Sequence, residues 1–375
     1  MIKFVDLKRQ YLSIKEEIDT AIADCLDNAS FISGARVKKL EEDFSSISGA
    51  KFGIAASSGT TALHLALEAL GVKEGDEVIT VANTFIATTE AIAQTKATIR
   101  LVDIDAKTYN IDVSKIEAAI TDKTKVLMPV HLYGQPCDID AIMNLAKKYN
   151  LKVIFDAAQG HMSEYKGQPI GKFGDIVCFS FYPGKNLGAY GDAGMVITNN
   201  EELANKMRKL ANHGRIDKYR HDMNGYNYRM DEIQAAILNV KLKHLPEWTK
   251  NRQKNAAKYN ELLKDSGIVT PFEADNADHV YHLYIVRVSN RDELREKLSE
   301  AGIESGIHYP IPIHFQDVYA NLGYKKGDFP LTEEYSEQIL SLPMFAELED
   351  EEIEKIVDVL KQEAKTGCSM LDARC

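Results

Sequence analysis

Cysteine is scarce in this chain, and the five present (Cys25, Cys137, Cys178, Cys368 and Cys375) are scattered, odd in number and without a CxxC pair. That pattern argues against a disulfide framework or a structural zinc site, so reduced thiols are expected. No stretch approaches the run of about 18 apolar residues that a membrane helix needs. The opening MIKFVDLKRQYLSIKEEID lacks the long apolar core of a signal peptide, and a cytoplasmic protein is expected. Positive charge is outnumbered: 45 Lys and Arg face 56 Asp and Glu, a formal charge of −11. Nucleic-acid binders gather basic residues against phosphate, so that class is disfavoured. An anionic small molecule stays admissible, because one pocket can be locally positive on an acidic protein. There is no internal repeat, no low-complexity tract and no HExxH pattern. His279 and His282 read as strand-edge residues, and no metal is expected.

The length of 375 residues predicts two domains. The first half repeats a short apolar run, a turn and an amphipathic helix. Candidate strands are Gly53–Ala56, Glu77–Val81, Thr98–Val102, Lys125–Val130, Lys152–Phe155, Ile176–Phe179 and Gly194–Thr198. Helices are expected over Thr61–Leu70, with Gly71 as C-cap, and over Ile139–Tyr149 behind Asp138 as N-cap. Alternation of this kind implies an α/β fold with parallel strands and ligands at their carboxyl ends. The Gly-rich link between the last two strands has no room for a full helix, so a hairpin-like reversal is admissible there. From about Pro246 the pattern changes. A polar helix over Trp248–Asp265, read as a solvated interdomain helix, leads into a strand over Tyr281–Val288 and helices over Arg291–Ala301 and Glu349–Lys365. These give residues 1–245 as a large domain that includes the N-terminal segment, and residues 246–375 as a smaller α+β domain. The tail Gly367–Cys375 breaks the helical pattern.

Three segments follow strands and carry chemistry. Ser57-Ser58-Gly59-Thr60-Thr61 opens a helix; it is either an anion cup of backbone N–H groups or an ordinary N-cap turn. Asp156 sits at a strand tip, where it is either a cleft carboxylate or another cap. Lys185 lies in the glycine-rich loop FSFYPGKNLG, where a surface lysine is the ordinary alternative. Buried, it could become neutral and bond a carbonyl. Taken together, cup, acid and amine stand in the order that one cofactor, pyridoxal phosphate (PLP), would require.

Longer stretches carry a resemblance. NTFIATTEAI at 83–92, PVHLYGQPCDID at 129–140, FDAAQGH at 155–161, FSFYPGKNLGAYGDAG at 179–194 and NHGRIDKYRHDMNGYNYRMDEIQAA at 212–236 resemble the DegT-type sugar aminotransferases, of the fold-type-I PLP class. The resemblance implies a mostly parallel seven-stranded sheet flanked by helices. By it, Lys185 matches the lysine that bonds the cofactor and Asp156 the partner of its ring nitrogen. Gln159 matches a residue near the ring hydroxyl, and Gly59, Thr60 and Ser180 match phosphate contacts. Phe85 matches an aromatic that stacks on the ring. Asn227 matches a residue that reaches the phosphate of the neighbouring subunit, which implies a homodimer with shared sites. Two positions depart from the family: Tyr228 stands where Ser is usual, and Met162 stands near a usual Gly. Dehydratases of the family carry His in place of the lysine, so Lys185 implies transamination.

The resemblance also implies glutamate as amino donor and a nucleotide-linked keto-sugar as acceptor. Lys218, Tyr219 and Arg229, on the stretch that carries Asn227, and His308, Tyr309 and His314, on the Pro-rich segment, are candidate substrate contacts. Lys218 is equally readable as a surface charge and Tyr309 as packing on Pro310. The string HYPIPIHFQ at 308–316 is similar to members that aminate C3 of a dTDP-3-keto-6-deoxyhexose, giving dTDP-Fuc3N or dTDP-Qui3N. Amination at C4 of a dTDP-, UDP- or GDP-4-keto sugar is one alternative, and a non-catalytic nucleotide-sugar-binding regulator is another.

Overall fold

The computed structural model describes residues 1–366; the tail from Gly367 lies outside the described residues. Seven strands build the main sheet: β1 (Phe52–Ala56), β2 (Glu77–Val81), β3 (Thr98–Val102), β4 (Thr124–Leu127), β5 (Lys152–Asp156), β6 (Ile176–Ser180) and β7 (Gly194–Thr198). Their order is β1-β7-β6-β5-β4-β2-β3. Neighbours from β6 to β3 run parallel, whereas β7 runs antiparallel to both β6 and β1. The Gly-rich link therefore does reverse the chain inside the sheet. All seven expected strands form, with one clear boundary shift. The strand expected over Lys125–Val130 ends at Leu127, because Pro129 has no N–H for the ladder; Val130 rejoins only by a lone bridge to Asp156.

The helix expected over Thr61–Leu70 spans Gly59–Ala69 and starts on a Ser58 cap, whose hydroxyl accepts from the Thr61 N–H. Gly59 and Thr60 thus occupy its open first turn. The helix over Ile139–Tyr149 forms as expected, with the Asp138 side chain accepting from Ala141 N–H and Asn150 closing the other end in the left-handed conformation.

The C-terminal half departs further. One continuous helix runs over Glu232–Leu263 with Pro246 inside it. An internal proline costs about 3 kcal/mol, and apolar packing offsets it: Ile237, Val240 and Trp248 join Ile14 and Ile18 in one buried cluster. The expected boundary after residue 245 falls inside this helix. Its second half is solvated on one face only, with Lys250, Lys254 and Glu261 exposed. Arg252, Asn255 and Tyr259 are buried and donate to the carbonyls of Met344 (2.9 Å), Phe345 (3.0 Å) and Pro343 (3.0 Å). A polar pattern misled here because these polar groups bind backbone rather than water. The strand expected over Tyr281–Val288 shrinks to Tyr284–Arg287, since Tyr281 has φ 44°, outside extended backbone. It pairs with Ile339–Leu342. The N-terminal segment packs with this C-terminal unit: Ile2 bridges Ile303 and lies in the same apolar core.

Candidate active site

The carboxyl ends of β1, β2, β5 and β6 bring the expected residues to one edge of the sheet. Asp156 closes β5 and is 4% exposed. Its Oδ2 accepts from the Thr88 hydroxyl (2.8 Å) and its Oδ1 from the Ala158 N–H (3.1 Å). Burial pushes this carboxyl above the usual carboxylate range, while the two donors and Lys185 pull the other way. Lys185 follows β6 in a turn closed by its own N–H on the Tyr182 carbonyl (2.9 Å). The lysine keeps some exposure to the cleft, but packing around its amine lowers the pKa to about 8, against the opposing pull of Asp156. Lys185 is half-buried, unlike a free surface lysine.

The Ser57–Thr61 turn, the candidate anion cup, is built by close approach. A Cβ on Gly59 would stand 2.6 Å from the Ser180 Cβ, and one on Gly194 would stand 2.3 Å from the Ser58 carbonyl. Glycine at both positions lets the helix start lie against β6 and β7. The first-turn N–H groups of Gly59 and Thr60 are there free of intrahelical partners, and the helix dipole favours an anion at that point. Ser180 shares the cup, and its carbonyl accepts from His161 Nε2 (2.9 Å). Phe85, N-cap of the helix Ile86–Gln94, is 54% exposed and faces the Tyr309 ring at 5.7 Å.

Gln159 closes the other wall. Its Oε1 accepts from the Tyr133 N–H (2.5 Å) and its Nε2 donates to the Tyr309 hydroxyl (3.1 Å). Tyr133 donates to the His308 carbonyl, so the Pro-rich segment is fastened to the sheet edge. His308 stacks on Phe4 at 5.6 Å and meets Ser341 Oγ at 2.7 Å. Burial and the nearby Lys185 lower its pKa to about 4, which leaves it neutral. Burial raises the Tyr309 hydroxyl, with Asp156 adding to the effect.

Other candidates lie elsewhere. His314 turns away from the cleft; it is buried against Phe315 and Phe329, with Nε2 3.2 Å from Glu333. Lys218 and Tyr219 occupy an exposed loop: Lys218 Nζ lies 5.4 Å from the Tyr219 ring centre, the Tyr219 N–H donates to Asp217 Oδ1 (3.1 Å) and the Lys218 carbonyl accepts from Arg215 (3.2 Å). Arg229 donates to Asn212 Oδ1 (2.9 Å) and, with Asn227, Gly191 and Gln234, lines a surface recess that also takes in Ser57 of the Ser57–Thr61 turn. The departure at Tyr228 has a local partner: its hydroxyl meets His64 Nδ1 at 3.1 Å and its ring stacks on Tyr226. The departure at Met162 falls at φ 68°, left-handed backbone that glycine adopts without strain.

Sequence reasoning missed Thr88, Tyr133 and His161. Each lies within a quoted stretch, and no spacing rule marks a partner that is 68 residues from Asp156 in sequence. It also set aside His282, which is 9% exposed and meets Asn186 beside Lys185.

These groups match pyridoxal phosphate: a buried carboxylate for a cationic ring nitrogen, an amine near neutrality for a carbonyl carbon, and a glycine-lined helix start for a phosphate. Known proteins agree. The profile of the DegT/DnrJ/EryC1/StrS aminotransferase family matches residues 12–361. A "Pleiotropic regulatory protein" of Geobacillus stearothermophilus is 48% identical, over 96% of this chain and 98% of its own. A UDP-N-acetyl-3-dehydro-α-D-glucosamine 3-aminotransferase of Acidithiobacillus ferrooxidans is 44% identical, over 96% and 97%. The crystal structure of DesV from S. venezuelae superposes with a TM-score of 0.96 at 40% identity, covering 97% of this chain and 98% of that one. With a family profile over residues 12–361 and near-full-length relatives on the same fold, this chain belongs to the DegT/DnrJ/EryC1/StrS aminotransferase family, whose cofactor is pyridoxal phosphate.

Proposed function

We propose that the protein moves an amino group from glutamate to a nucleotide-linked keto-6-deoxy sugar, at C3 of a dTDP-3-keto-6-deoxyhexose, to give dTDP-Fuc3N or dTDP-Qui3N. The observation that carries the reading is the Lys185 amine, depressed to about 8 at the sheet edge that also holds buried Asp156. Binding alone needs no such amine. The similarity of residues 308–316 to C3 enzymes supports the position, as does the name of the A. ferrooxidans relative, which places amination at carbon 3 of a UDP-sugar.

Asp156 would hold the cofactor ring nitrogen, Gln159 its hydroxyl, Phe85 its face, and Gly59, Thr60 and Ser180 its phosphate. Pyridoxal phosphate, when bound, supplies a carbonyl that exchanges amino groups and a ring that takes up carbanion electrons. Lys185 does the proton work. With a pKa near 8, a usable fraction of its amine is neutral at about pH 7, so it would take the proton from the donor α-carbon and deliver it to the cofactor carbon on the far side of the transferred nitrogen. A single amine serves both half-reactions because both transfers occur on the same ring face. Neutral His308 and the Tyr309 hydroxyl line the cleft beside Lys185, where they can hydrogen-bond a sugar without adding charge. We place Lys218, Tyr219, Arg229 and Asn227 at the neighbouring subunit's site in a homodimer. The exposure of Lys218, Tyr219 and Asn227 supports that reading.

The test is incubation with PLP, glutamate and a panel of dTDP-3-keto-, dTDP-4-keto- and UDP-3-keto-sugars, with products read by mass spectrometry and NMR. Amination of the dTDP-3-keto sugar is expected. Amination of the 4-keto sugar alone would overturn the position, and of the UDP-sugar alone the nucleotide. The name of the G. stearothermophilus relative favours a second, regulatory reading. That reading takes precedence if the cofactor spectrum does not respond to glutamate.

A further inference from the structure

The stretch Val280–Leu283 of the C-terminal unit lies against the loop that carries Lys185. Asn186, the next residue, is 3% exposed and has both ends of its amide engaged. Its nitrogen donates to the Val280 carbonyl (3.1 Å), and its oxygen meets His282 Nδ1 at 3.2 Å. An amide oxygen only accepts, so the His282 proton on this side is on Nδ1. Burial keeps the imidazole neutral, which preserves that tautomer.

The segment that bears His282 is rigidly held. Val280 N–H donates to Gly134 O (3.0 Å), Leu283 N–H to Tyr133 O (3.2 Å) and Arg252 to Tyr281 O (3.1 Å). On its other side the Lys185 loop is fastened at Gly188, whose carbonyl accepts from buried Lys241 (2.7 Å). Lysine hangs its amine on a flexible four-carbon stem, so the backbone at 185–186 decides where that amine can reach. A clamp on the adjacent side chain acts on that backbone directly.

We propose that His282 is a positioning residue for Lys185: through the Asn186 amide it fixes the peptide after Lys185 and so aims the amine for proton transfer. The inference rests on Lys185 being the lysine that bonds the cofactor.

The test is a double-mutant cycle of His282→Phe and Asn186→Ala, with His282→Asn as the conservative variant, because the Asn amide places its N–H near the position of Nδ1. Two readouts are taken: the single-turnover rate with glutamate, and the pH midpoint of the absorbance band of lysine-bound cofactor. His282→Phe is expected to slow the half-reaction on the order of 10- to 100-fold, as small misplacements of reacting groups do. Glutamate affinity should hold within about threefold, and the band midpoint should shift. Asn186→Ala should reproduce both effects, the double variant should be no slower than either single, and His282→Asn should restore most of the rate. An unchanged rate and midpoint in His282→Phe, losses that multiply in the double variant, or a His282→Asn as slow as His282→Phe would each overturn the proposal. Should His282→Phe fail to fold by circular dichroism, the proposal is read from the other two variants: a slowed Asn186→Ala beside a near-native His282→Asn is expected, and a wild-type rate in Asn186→Ala overturns it. Lys185→Ala is the separate control. A lysine-type band that survives in it sinks the assignment of Lys185 itself, whatever His282 does.

Discussion

Replacing Thr88 with valine tests whether the charge on Asp156 drives the chemistry. Thr88 is 1% exposed, and its hydroxyl lies 2.8 Å from both Asp156 Oδ2 and Thr84 Oγ1. An ionised carboxylate only accepts, so Thr88 donates to Asp156 and receives the Thr84 proton. Valine fills the same volume without the donor, so no cavity forms. A hydrogen bond to a charged group contributes about 1.5–3 kcal/mol. If the cofactor ring needs that charge fully developed in the transition state, kcat/KM falls about 10- to 150-fold at about 1.4 kcal/mol per decade. The direction with pH also follows. Burial already raises the Asp156 carboxyl and the Thr88 hydroxyl lowers it; without the hydroxyl the carboxyl rises further, so the acid limb of the rate profile moves to higher pH. The assay is the stopped-flow glutamate half-reaction from about pH 5 to about pH 9, with Thr88→Ser as control. A Thr88→Val enzyme with wild-type rates and an unmoved acid limb refutes the reasoning. So does a Thr88→Ser enzyme as slow as Thr88→Val.

Three further outcomes follow from the same geometry. In the cofactor-free protein, acylation of Lys185, followed by mass spectrometry against pH, should show a midpoint near 8; a midpoint at the usual lysine value of about 10.4 contradicts its burial. Because the folded pKa lies below the unfolded one, the desolvation penalty is fully present below about 8 and relieved above it. Lys185→Met should therefore raise the melting temperature of the cofactor-free protein at pH 7. Gly59→Ala places a methyl group 2.6 Å from the Ser180 Cβ, and cofactor affinity should fall on the order of tenfold or more, read by equilibrium dialysis, since overpacking costs roughly 1–3 kcal/mol. Mixing inactive Lys185→Ala and Asn227→Ala chains should restore about a quarter of native activity if Asn227 serves the neighbouring subunit of a twofold dimer; no recovery places Asn227 in its own site.

Local pattern carried most of the sheet and the three main cofactor groups. The seven strands were legible because each is short, β-branched and bounded by turn residues. Asp156 was legible because a polar side chain at the tip of a buried strand has one place to go, the carboxyl edge, whereas Lys185, in the loop beyond β6, stood out by the family resemblance. The helix Glu232–Leu263 was only half legible: Pro246 signals a break to any local reading, and burial of Trp248 and its neighbours overrides it. The substrate candidates divided for the same reason. His308, Tyr309 and His314 share one short segment, yet the turn at Ile313–Phe315 carries His314 back toward Glu333 while Tyr309 bonds Gln159.

By itself, then, the sequence determined the alternation of strand and helix, left room for the reversal before β7, and offered Asp156, Lys185 and the Ser57–Thr61 turn as candidates. Those depend on residue types at fixed local offsets. Tertiary structure alone decided that Thr88 donates to Asp156, that His282 reaches Asn186 and that Arg252 is buried against carbonyls rather than solvated. Each of these joins residues far apart in the chain. A hydrogen bond depends on a few ångströms of space, and periodicity along one chain carries no measure of that distance.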